Sequence, residues 1–410
     1  MRDGGRLAAA IGVLGEIQAR HRPAKLALKS WGESARYAGA KDRAFVSGLV
    51  LDVLRRRRSL AWTMGEDSDR ARTLAALRFV WDWPAERIEA AASDGHGPGA
   101  LSDTERARLA APAALDDAPD AVRGDYPDWL EEAMARAFGA ARAVEGAALA
   151  TRAPVDVRVN TLKTDVAHVL KALAPFHAQP VGGVETALRI AAPAASERAA
   201  PVEATPAFEK GWFEVQDLGS QIAAARAGEI ARGQVLDFCA GGGGKTLALA
   251  AAMGNTGQLY AYDSEARRLT DTVRRAQRAG VRNLQVRSPL EPDALKGLEG
   301  RMDLVFVDSP CTGSGTWRRH PDAKWRLSPD QLARRMAEQD SVLDAAAPFV
   351  KAGGRLIYVT CSLFAEENED RVAAFLARTA GFALAGDALR LTPRGDGTDG
   401  FFVAELSKEG

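Results

Sequence analysis

Five short apolar runs, with helical segments among them, occupy the second half of the chain. Runs of this length that alternate with helices are typical of a parallel sheet, so the pattern predicts a doubly wound α/β domain. Ligands bind at the carboxyl ends of the strands in such sheets, which makes the residues after each run candidates for a functional site. The runs are Val235–Phe238, Leu259–Tyr262, Leu284–Val286, Leu304–Val307 and Leu356–Val359.

Cysteines follow the fourth and fifth runs. Cys311 lies in Asp-Ser-Pro-Cys-Thr-Gly-Ser-Gly at 308–315, and Cys361 lies in Thr-Cys-Ser at 360–362. The turn-forming residues around Cys311 predict that its thiol lies in a loop and not in a core, and the same holds less strongly for Cys361. The third cysteine, Cys239, is interpreted as a small buried hydrophobe. Two thiols at two strand ends can face one site.

A glycine-rich turn follows the first run. Residues 237–246 read Asp-Phe-Cys-Ala-Gly-Gly-Gly-Gly-Lys-Thr, and such glycines let a ligand approach backbone N–H groups. The turn fails both the P-loop pattern and the dinucleotide pattern G-x-G-x-x-G. Asp237 suits a ligand with an amine, such as S-adenosylmethionine, and Asp263 ends the second run where it can bind ribose hydroxyls. The alternative is that both acids only cap the turns that follow them.

The first 205 residues predict two further parts. Apolar residues recur at helical spacing up to about residue 93, Asp42 is placed to cap one of these helices, and a glycine- and proline-rich stretch follows at 94–120. A strand at Val155–Val159 and a helix at Val166–Leu173 then predict a small α+β module. We expect an all-α domain with its linker at 1–124, the α+β module at 125–205 and the α/β domain at 206–410.

Composition limits the partners and the compartment. The 54 Lys and Arg residues equal the 54 Asp and Glu residues, so a nucleic-acid surface has to come from local arginine clusters. The run Arg55–Arg58 is either a phosphate-contacting patch or a solvated helix end. Three cysteines argue against a disulfide framework, and no stretch approaches the roughly 20 apolar residues of a membrane span. We expect a cytoplasmic protein.

Two thiols near an acid fit a covalent chemistry at cytosine. Carbon 5 of cytosine is a poor nucleophile, and addition of a thiolate to carbon 6 raises the electron density on carbon 5, which then attacks a methyl sulfonium. Loss of the carbon 5 proton and expulsion of the thiolate restore the ring. The reaction needs an activated thiol and an acid at the N3/N4 edge of the ring, and Asp308 has the right chemistry for that acid.

Further motifs follow in order along the chain: Arg158–Lys163, Val215–Gln221, Asp308–Pro321, Thr360–Ser362 with Glu366–Glu369, and Gly400–Ala404. Together they resemble the Sun/RsmB-type family of RNA 5-methylcytosine methyltransferases. The helical start resembles the NusB-like RNA-binding domain of the family's bacterial ribosomal-RNA members, and the middle module resembles its RRM-like segment. The resemblance implies a Rossmann-like class I methyltransferase domain, S-adenosylmethionine as cofactor and 16S ribosomal RNA as substrate.

The resemblance also implies roles for individual residues. Cys361 would attack the base, Cys311 would help to release the product, Lys245 and Asp308 would contact the base, and no metal is implied. Cofactor contacts are expected from Asp237, Ala240, Gly241, Gly242, Gly243, Lys245, Asp263 and Asp308. Phosphate contacts are expected from Arg55, Arg56, Arg158, Arg318 and Arg319. Trp317 is expected either to stack on a base or to pack in the core.

Two departures from the family pattern keep other functions open. Gly242 stands where the family usually has proline, and no acid follows the third strand at Val286–Pro289, although Glu291 and Asp293 come later. The alternatives are methylation of transfer RNA by the same chemistry and an RNA-binding ribosome assembly factor without chemistry. DNA cytosine methyltransferases attack with their Pro-Cys thiol, so the context of Cys361 argues against that class. We expect a monomer without an obligate protein partner.

Overall fold

The computed structural model describes residues 1–197 and 199–410, which form two compact units. The first unit comprises Met1–Ala153, Ala192–Ala199 and Thr316–Leu327. The second unit comprises Pro154–Ala191, Ala200–Gly315 and Ser328–Gly410. The finer division into three domains stays a prediction.

The first unit is built mainly from helices. Apolar residues three or four positions apart give each helix one buried face, as Leu7, Ala10 and Leu14 do in α1 (Asp3–Arg20). The predicted cap is confirmed, because the Asp42 carboxylate accepts a hydrogen bond from the Gly39 N–H at 2.9 Å. The other helices are α2 (Ala24–Ser34), α3 (Ala40–Arg55), α4 (Arg57–Met64), α5 (Asp69–Phe79), α6 (Ala85–Ser93), α7 (Asp103–Ala110), α8 (Asp120–Arg123), α9 (Glu131–Phe138) and α10 (Arg142–Leu149).

The second unit begins with a small antiparallel sheet in the order β2-β3-β1-β4. The predicted strand and helix of this module are both present, and the helix ends one residue earlier than expected. The elements are β1 (Val155–Val159), α11 (Val166–Ala172), β2 (Gln179–Pro180), β3 (Ala187–Ile190), α12 (Pro206–Glu209) and β4 (Phe213–Val215).

A larger sheet follows, and all five predicted apolar runs are strands in it. These strands are β5 (Gln234–Asp237), β6 (Gln258–Tyr262), β7 (Leu284–Arg287), β8 (Met302–Asp308) and β9 (Val350–Thr360). They are parallel to one another, as predicted. Three strands were not predicted: β10 (Phe382–Leu384), β11 (Leu389–Leu391) and β12 (Phe401–Lys408). The order is β10-β12-β9-β8-β5-β6-β7, with β12 antiparallel between β9 and β10 and β11 paired to β12.

Side chains of the central strands alternate between two cores, one on each face of the sheet. Val305 and Val307 of β8 pack in one core, and Leu304 and Phe306 pack in the other. None of the described helices is long and apolar enough to cross a membrane. The remaining helices are α13 (Leu218–Ala225), α14 (Gly244–Ala252), α15 (Ala266–Ala279), α16 (Pro321–Arg326), α17 (Pro329–Ala346), α18 (Glu369–Arg378) and α19 (Pro393–Asp396).

The segment Thr316–Leu327, which contains α16, packs within the helical unit. Trp317 is 1% exposed, so it packs in the core and does not stack on a base. Lys324 is equally buried, and its Nζ donates a hydrogen bond to the Arg55 carbonyl oxygen at 2.7 Å. Burial lowers the pKa of Lys324 to about 8, although the charge of Asp125 partly opposes this shift.

Substitution Lys324→Met is expected to change how stability varies with pH. The pKa of Lys324 is lower in the folded protein than the ordinary lysine value of 10.5, so the unfolded chain binds more protons between about pH 8 and pH 10. The free energy of unfolding of the wild type should therefore rise relative to that of Lys324→Met across this range. Urea unfolding at a series of pH values measures the difference.

The exposed Lys29 provides the matched control. Its side chain is 72% exposed, so Lys29→Met should differ from the wild type by an amount that does not change between about pH 8 and pH 10. If the difference in stability between the wild type and Lys324→Met is equally independent of pH, the assignment of a buried lysine with a lowered pKa is wrong.

Candidate active site

Cys311 and Cys361 lie side by side at the carboxyl ends of β8 and β9. The parallel register pairs Asp308 with Val359, and the Ser309 N–H donates to the Val359 carbonyl oxygen at 2.8 Å where the strands end. The loops that leave the two strands bring the two sulfur atoms to 3.3 Å from each other. The structure therefore brings together the two thiols to which the sequence pointed.

The surroundings of Cys311 favour its protonated form. Its hydrogen bond with Cys361, its burial and the negative charges of Cys361 and Glu367 raise the pKa of the Cys311 thiol well above the ordinary value. A thiol that keeps its proton can donate a hydrogen bond to the neighbouring sulfur, whereas the nucleophile in thiol chemistry is the thiolate. This arrangement suits a pair in which one sulfur attacks while the other keeps its proton.

An ion pair joins Asp308 at the end of β8 to Lys245 in α14. The Lys245 Nζ lies 2.7 Å from Asp308 Oδ2 and 5.2 Å from the centre of the Phe401 ring. Burial tends to lower the pKa of Lys245, but the charge and hydrogen bond of Asp308 outweigh burial, so the pKa is raised. The Asp308 side chain is 33% exposed. An ammonium and an accessible carboxylate therefore lie together at this strand end.

The glycine-rich turn between β5 and α14 is held by two side chains of α15. Thr272 Oγ1 donates to the Gly241 carbonyl oxygen at 2.8 Å, and Arg275 Nη1 donates to the Gly242 carbonyl oxygen at 2.5 Å. These bonds restrain the turn, in which Gly242 stands where the family usually has proline. Neither residue is a candidate from the sequence, although their spacing of three positions places them on one face of the helix.

Asp237 at the end of β5 is buried with one oxygen atom unpaired. Its Oδ2 accepts a hydrogen bond from Thr246 Oγ1 at 2.6 Å, and its Oδ1 has no hydrogen-bond partner among the residues that the structure describes. Burial raises the pKa of Asp237 to about 7. A buried acceptor without a partner is uncommon unless a ligand satisfies it. This oxygen, next to the glycine-rich turn, fits the amine of S-adenosylmethionine.

Asp263 at the end of β6 has protein partners on both of its oxygens. Oδ2 accepts from the Gly241 N–H at 2.8 Å, and Oδ1 accepts from the Glu265 N–H at 2.9 Å. Arg268 also lies 3.3 Å from Oδ2. The capping role that the sequence left open is therefore present, and contact with a ribose stays a prediction.

An open cavity of about 440 Å³ lies beyond the ends of β6 and β7. Tyr262, Pro289, Glu291 and Asp293 are among its lining residues. The two acids that follow β7 at a distance thus lie near the place where an adenosine is expected. A carboxylate can therefore lie near this cavity even though no acid directly follows β7, where the family pattern has one.

Gly315 and Gly400 make a close backbone contact beside the cysteine loops. The Gly400 N–H donates to the Gly315 carbonyl oxygen at 2.8 Å, and the Gly315 N–H donates to the Cys361 carbonyl oxygen at 2.9 Å. A Cβ at Gly315 would lie 2.1 Å from the Gly400 carbonyl oxygen, which leaves no room for a side chain. The Cys311 loop is therefore attached both to the Cys361 loop and to the residue before β12.

Two arginines of the helical unit that were predicted to bind phosphate are buried. Arg55 is 8% exposed, and it donates hydrogen bonds to Asp52 Oδ1 at 2.8 Å and to the Arg318 carbonyl oxygen at 2.9 Å. Arg318 is 4% exposed. Buried guanidinium groups do not reach an RNA backbone, so the prediction is wrong for Arg55 and Arg318. Arg56 and Arg319 are partly exposed, and phosphate contact stays a prediction for them.

Arg158 in β1 is also buried. It is 5% exposed, and its Nε donates to Gln216 Oε1 at 2.8 Å. Burial lowers the pKa of Arg158 to about 10, with partial compensation from Glu214. Its guanidinium therefore ties β1 to the chain after β4, and the prediction of a phosphate contact is wrong here too.

Comparison with known proteins gives consistent matches. The family described as 16S rRNA methyltransferase RsmB/F matches residues 229–407, and the ferredoxin-like domain of RsmF/B-like methyltransferases matches residues 126–197. The chain is 30% identical over 412 residues to the probable ribosomal RNA small subunit methyltransferase B of Synechocystis sp., covering 90% of this chain and 91% of the relative. It is 30% identical over 404 residues to ribosomal RNA small subunit methyltransferase B of Citrobacter koseri, with the same two coverages of 90% and 91%.

The fold is also found among solved structures. The crystal structure of PH0851 matches 100% of this chain and 99% of its own length, with a TM-score of 0.74 and 24% identity. Together with the strand order, these matches confirm the predicted Rossmann-like class I methyltransferase fold. They also confirm a small α+β module, which is ferredoxin-like.

Alanine substitutions in the glycine-rich turn are expected to have opposite effects on stability. Gly242 lies outside the left-handed region, and a Cβ there would lie an ordinary 3.6 Å from Arg275 Nη1. Gly242→Ala should therefore raise the free energy of unfolding by about 0.4–1 kcal/mol, because alanine restricts the unfolded chain. Gly241 has a φ of 54° and a Cβ there would lie 2.7 Å from Arg268 Nη2, so Gly241→Ala should lower it. Urea unfolding of both variants checks the signs, and equal shifts would contradict this description of the turn.

Proposed function

Since the chain belongs to the 16S rRNA methyltransferase RsmB/F family, we propose that its site transfers a methyl group from S-adenosylmethionine to carbon 5 of a cytosine in 16S ribosomal RNA. Membership in this family establishes methyl transfer as the reaction and ribosomal RNA as the class of substrate. The choice of carbon 5 depends on the two thiols, because methylation of an amine or a hydroxyl requires no covalent adduct with the base.

The contact between Cys311 and Cys361 carries the proposal. Their sulfur atoms are 3.3 Å apart, and Asp308, which binds Lys245, lies beside Val359 in the strand register, two residues before Cys361. Nucleophile, leaving-group partner and ring-binding groups thus converge at the ends of two adjacent strands.

Cys361 begins the reaction when its Sγ forms a bond to carbon 6 of the cytosine after its proton has passed to solvent. The Lys245 ammonium donates a hydrogen bond to N3 and stabilises the negative charge that the addition places on the ring, while Asp308 accepts from the N4 amine and orients the base. S-adenosylmethionine, when bound, would supply the electrophilic methyl group to the electron-rich carbon 5, and the bond from that methyl group to sulfur would break with its electron pair on sulfur.

Cys311 acts in the release of the product. The carbon 5 proton passes to water or to Asp308, the electrons of that bond restore the double bond to carbon 6, and the bond from carbon 6 to Cys361 breaks with its electron pair on sulfur. The protonated Cys311 thiol, 3.3 Å away, donates a hydrogen bond to the departing thiolate. The raised pKa of Cys311 suits this role, because the thiol must still carry its proton at that moment.

RNA contacts outside the reacting base are proposed for the partly exposed Arg56 and Arg319. Asp237 and the turn that contains Ala240, Gly241 and Gly243 are proposed to hold the methionine part of the cofactor. Small-subunit ribosomal RNA as substrate supports a cytoplasmic site of action, and we propose that the protein acts there as a monomer.

Cysteine variants separate the two proposed roles. Cys361→Ala should lower the methylation rate by more than about a thousandfold, because the nucleophile is lost. Cys311→Ala should instead accumulate a covalent protein–RNA adduct, since attack proceeds and release is impaired. Transfer of radioactive methyl groups to small-subunit RNA measures the rate, and denaturing gels detect the adduct.

The double variant is the control for the adduct. Cys311→Ala combined with Cys361→Ala should form none, because no attacking sulfur remains. Full turnover by Cys361→Ala, or an adduct in the double variant, would contradict the assignment of Cys361 as the nucleophile.

Cofactor binding should depend on the ionisation of Asp237. Because burial raises the pKa of Asp237 to about 7, its carboxylate is mostly charged at pH 8 and mostly neutral at pH 6, and affinity for S-adenosylmethionine should fall by about tenfold between them. Titration calorimetry measures both values. Asp237→Asn should bind weakly with a flatter profile, and the difference between the two profiles isolates Asp237. No binding by the wild type at either pH would favour an RNA-binding assembly factor without chemistry.

A further inference from the structure

Glu367 is a buried acid that contacts the loops of both cysteines. We propose that Glu367 is a positioning residue that holds the Cys311 and Cys361 thiols in the geometry needed to act on one base. This role rests on the proposed function, since it concerns the same two thiols. The sequence motif Glu366–Glu369 contains Glu367 but indicates no role for it.

The first set of contacts fixes the Cys311 loop. Glu367 Oε1 accepts a hydrogen bond from the Thr312 N–H at 2.8 Å, and Oε2 accepts from the Thr312 hydroxyl. Thr312 directly follows Cys311 in the chain. Two bonds to one residue, one through its backbone and one through its side chain, fix both the path and the orientation of the loop at this point.

The second set of contacts fixes the Cys361 loop. The hydroxyl of Ser362, the residue after Cys361, donates to Glu367 Oε2. The same hydroxyl accepts from the Phe364 N–H at 3.2 Å and lies 3.1 Å from Ser314 Oγ in the other loop. One carboxylate therefore connects the residues that immediately follow the two thiols.

The helix α17 completes the environment of Glu367. Gln339, which is fully buried, donates from Nε2 to Glu367 Oε1 at 2.9 Å and to the Pro310 carbonyl oxygen at 2.9 Å. Four donors thus point at a carboxyl group that has no exposed surface. Burial raises the pKa of Glu367, while the hydrogen bonds from Ser362 and Thr312 oppose that rise.

A buried carboxyl group joins two loops at a cost in desolvation free energy. Well-packed apolar side chains of similar volume often stabilise a fold as well or better, so a buried acid is weak evidence for stability alone. What the carboxyl group provides is direction, because each of its bonds has a required angle and length. At 3.3 Å between the two sulfur atoms, a small displacement of either loop would separate the thiols.

Position and charge can be distinguished by substitution with glutamine. In Glu367→Gln, the amide oxygen can still accept from the Thr312 N–H and from Gln339, while the amide NH₂ can donate to the hydroxyls of Thr312 and Ser362. Glutamine therefore keeps the connection and removes the charge. Glu367→Ala removes both.

The test measures the geometry of the thiols without RNA or cofactor. In a Cys239→Ser background, only Cys311 and Cys361 remain, and dithiodipyridine oxidises them to a disulfide while it takes up two electrons and becomes two pyridinethiones. Mass spectrometry of the linked peptides follows the rate. Glu367→Gln should pair its thiols within about threefold of the Cys239→Ser parent, and Glu367→Ala should do so at least about tenfold more slowly, because intramolecular rates depend steeply on alignment.

Methylation kinetics provide the second readout. Glu367→Ala should lower kcat by at least about tenfold with an unchanged Kd for S-adenosylmethionine, and Glu367→Gln should restore most of kcat. Glu338→Gln is the matched control, since it makes the same change at a side chain of α17 that is 38% exposed and paired with Arg335. It should leave both thiol pairing and kcat unchanged.

An unchanged rate of thiol pairing in Glu367→Ala would overturn the proposal. A Glu367→Gln variant as impaired as Glu367→Ala would also overturn it, because the charge of Glu367 and not the position of its hydrogen bonds would then matter. If Glu367→Ala does not fold, Thr312→Val and Ser362→Ala each remove one hydroxyl donor and should slow pairing by smaller factors. Thiol pairing that depends on Glu367 in a protein that methylates no RNA would support the positioning role and reject the proposed function.

Discussion

The parallel pairing of β8 with β9 is the constraint on which the site depends. Val305 and Val307 face one core and Leu304 and Phe306 face the other, so β8 is buried on both faces. Backbone hydrogen bonds hold β8 and β9 in one register. The register in turn sets where Asp308 ends its strand and where the two cysteine loops begin.

Around this frame, charged groups are buried with specific partners. Lys245 pairs with Asp308, and Glu367 accepts from four donors in three segments of the chain. Asp237 differs from these two, because one of its oxygens has no hydrogen-bond partner among the described residues. The unsatisfied atom lies beside the glycine-rich turn, where the cofactor is expected. A buried carboxylate oxygen in this position is available to a ligand.

Much of the fold could be predicted from local patterns, and the failures share one physical cause. The five parallel strands, the cap by Asp42 and the meeting of two thiols follow from periodicity and from the rule that parallel strands end at one edge. The insertion of β12 between β9 and β10 depends on pairing between distant segments. Burial of Arg55 and the role of Glu367 are equally non-local, since Arg318 and Thr312 are remote from them in sequence. An arginine run looks the same in sequence whether its guanidinium groups face solvent or a carbonyl oxygen.

The close contact of Gly315 with Gly400 links the site to the order in which the chain is made. Every proposed reacting residue precedes β12 in sequence, yet the Cys311 loop rests on the residue just before that strand, and Phe401 at its start lies over Lys245. A growing chain on the ribosome can fold its helical start while both thiols still lack this support. This support of the Cys311 loop therefore forms only after β12 has emerged and entered the sheet, so a chain that ends before β12 lacks one of the contacts that hold the site.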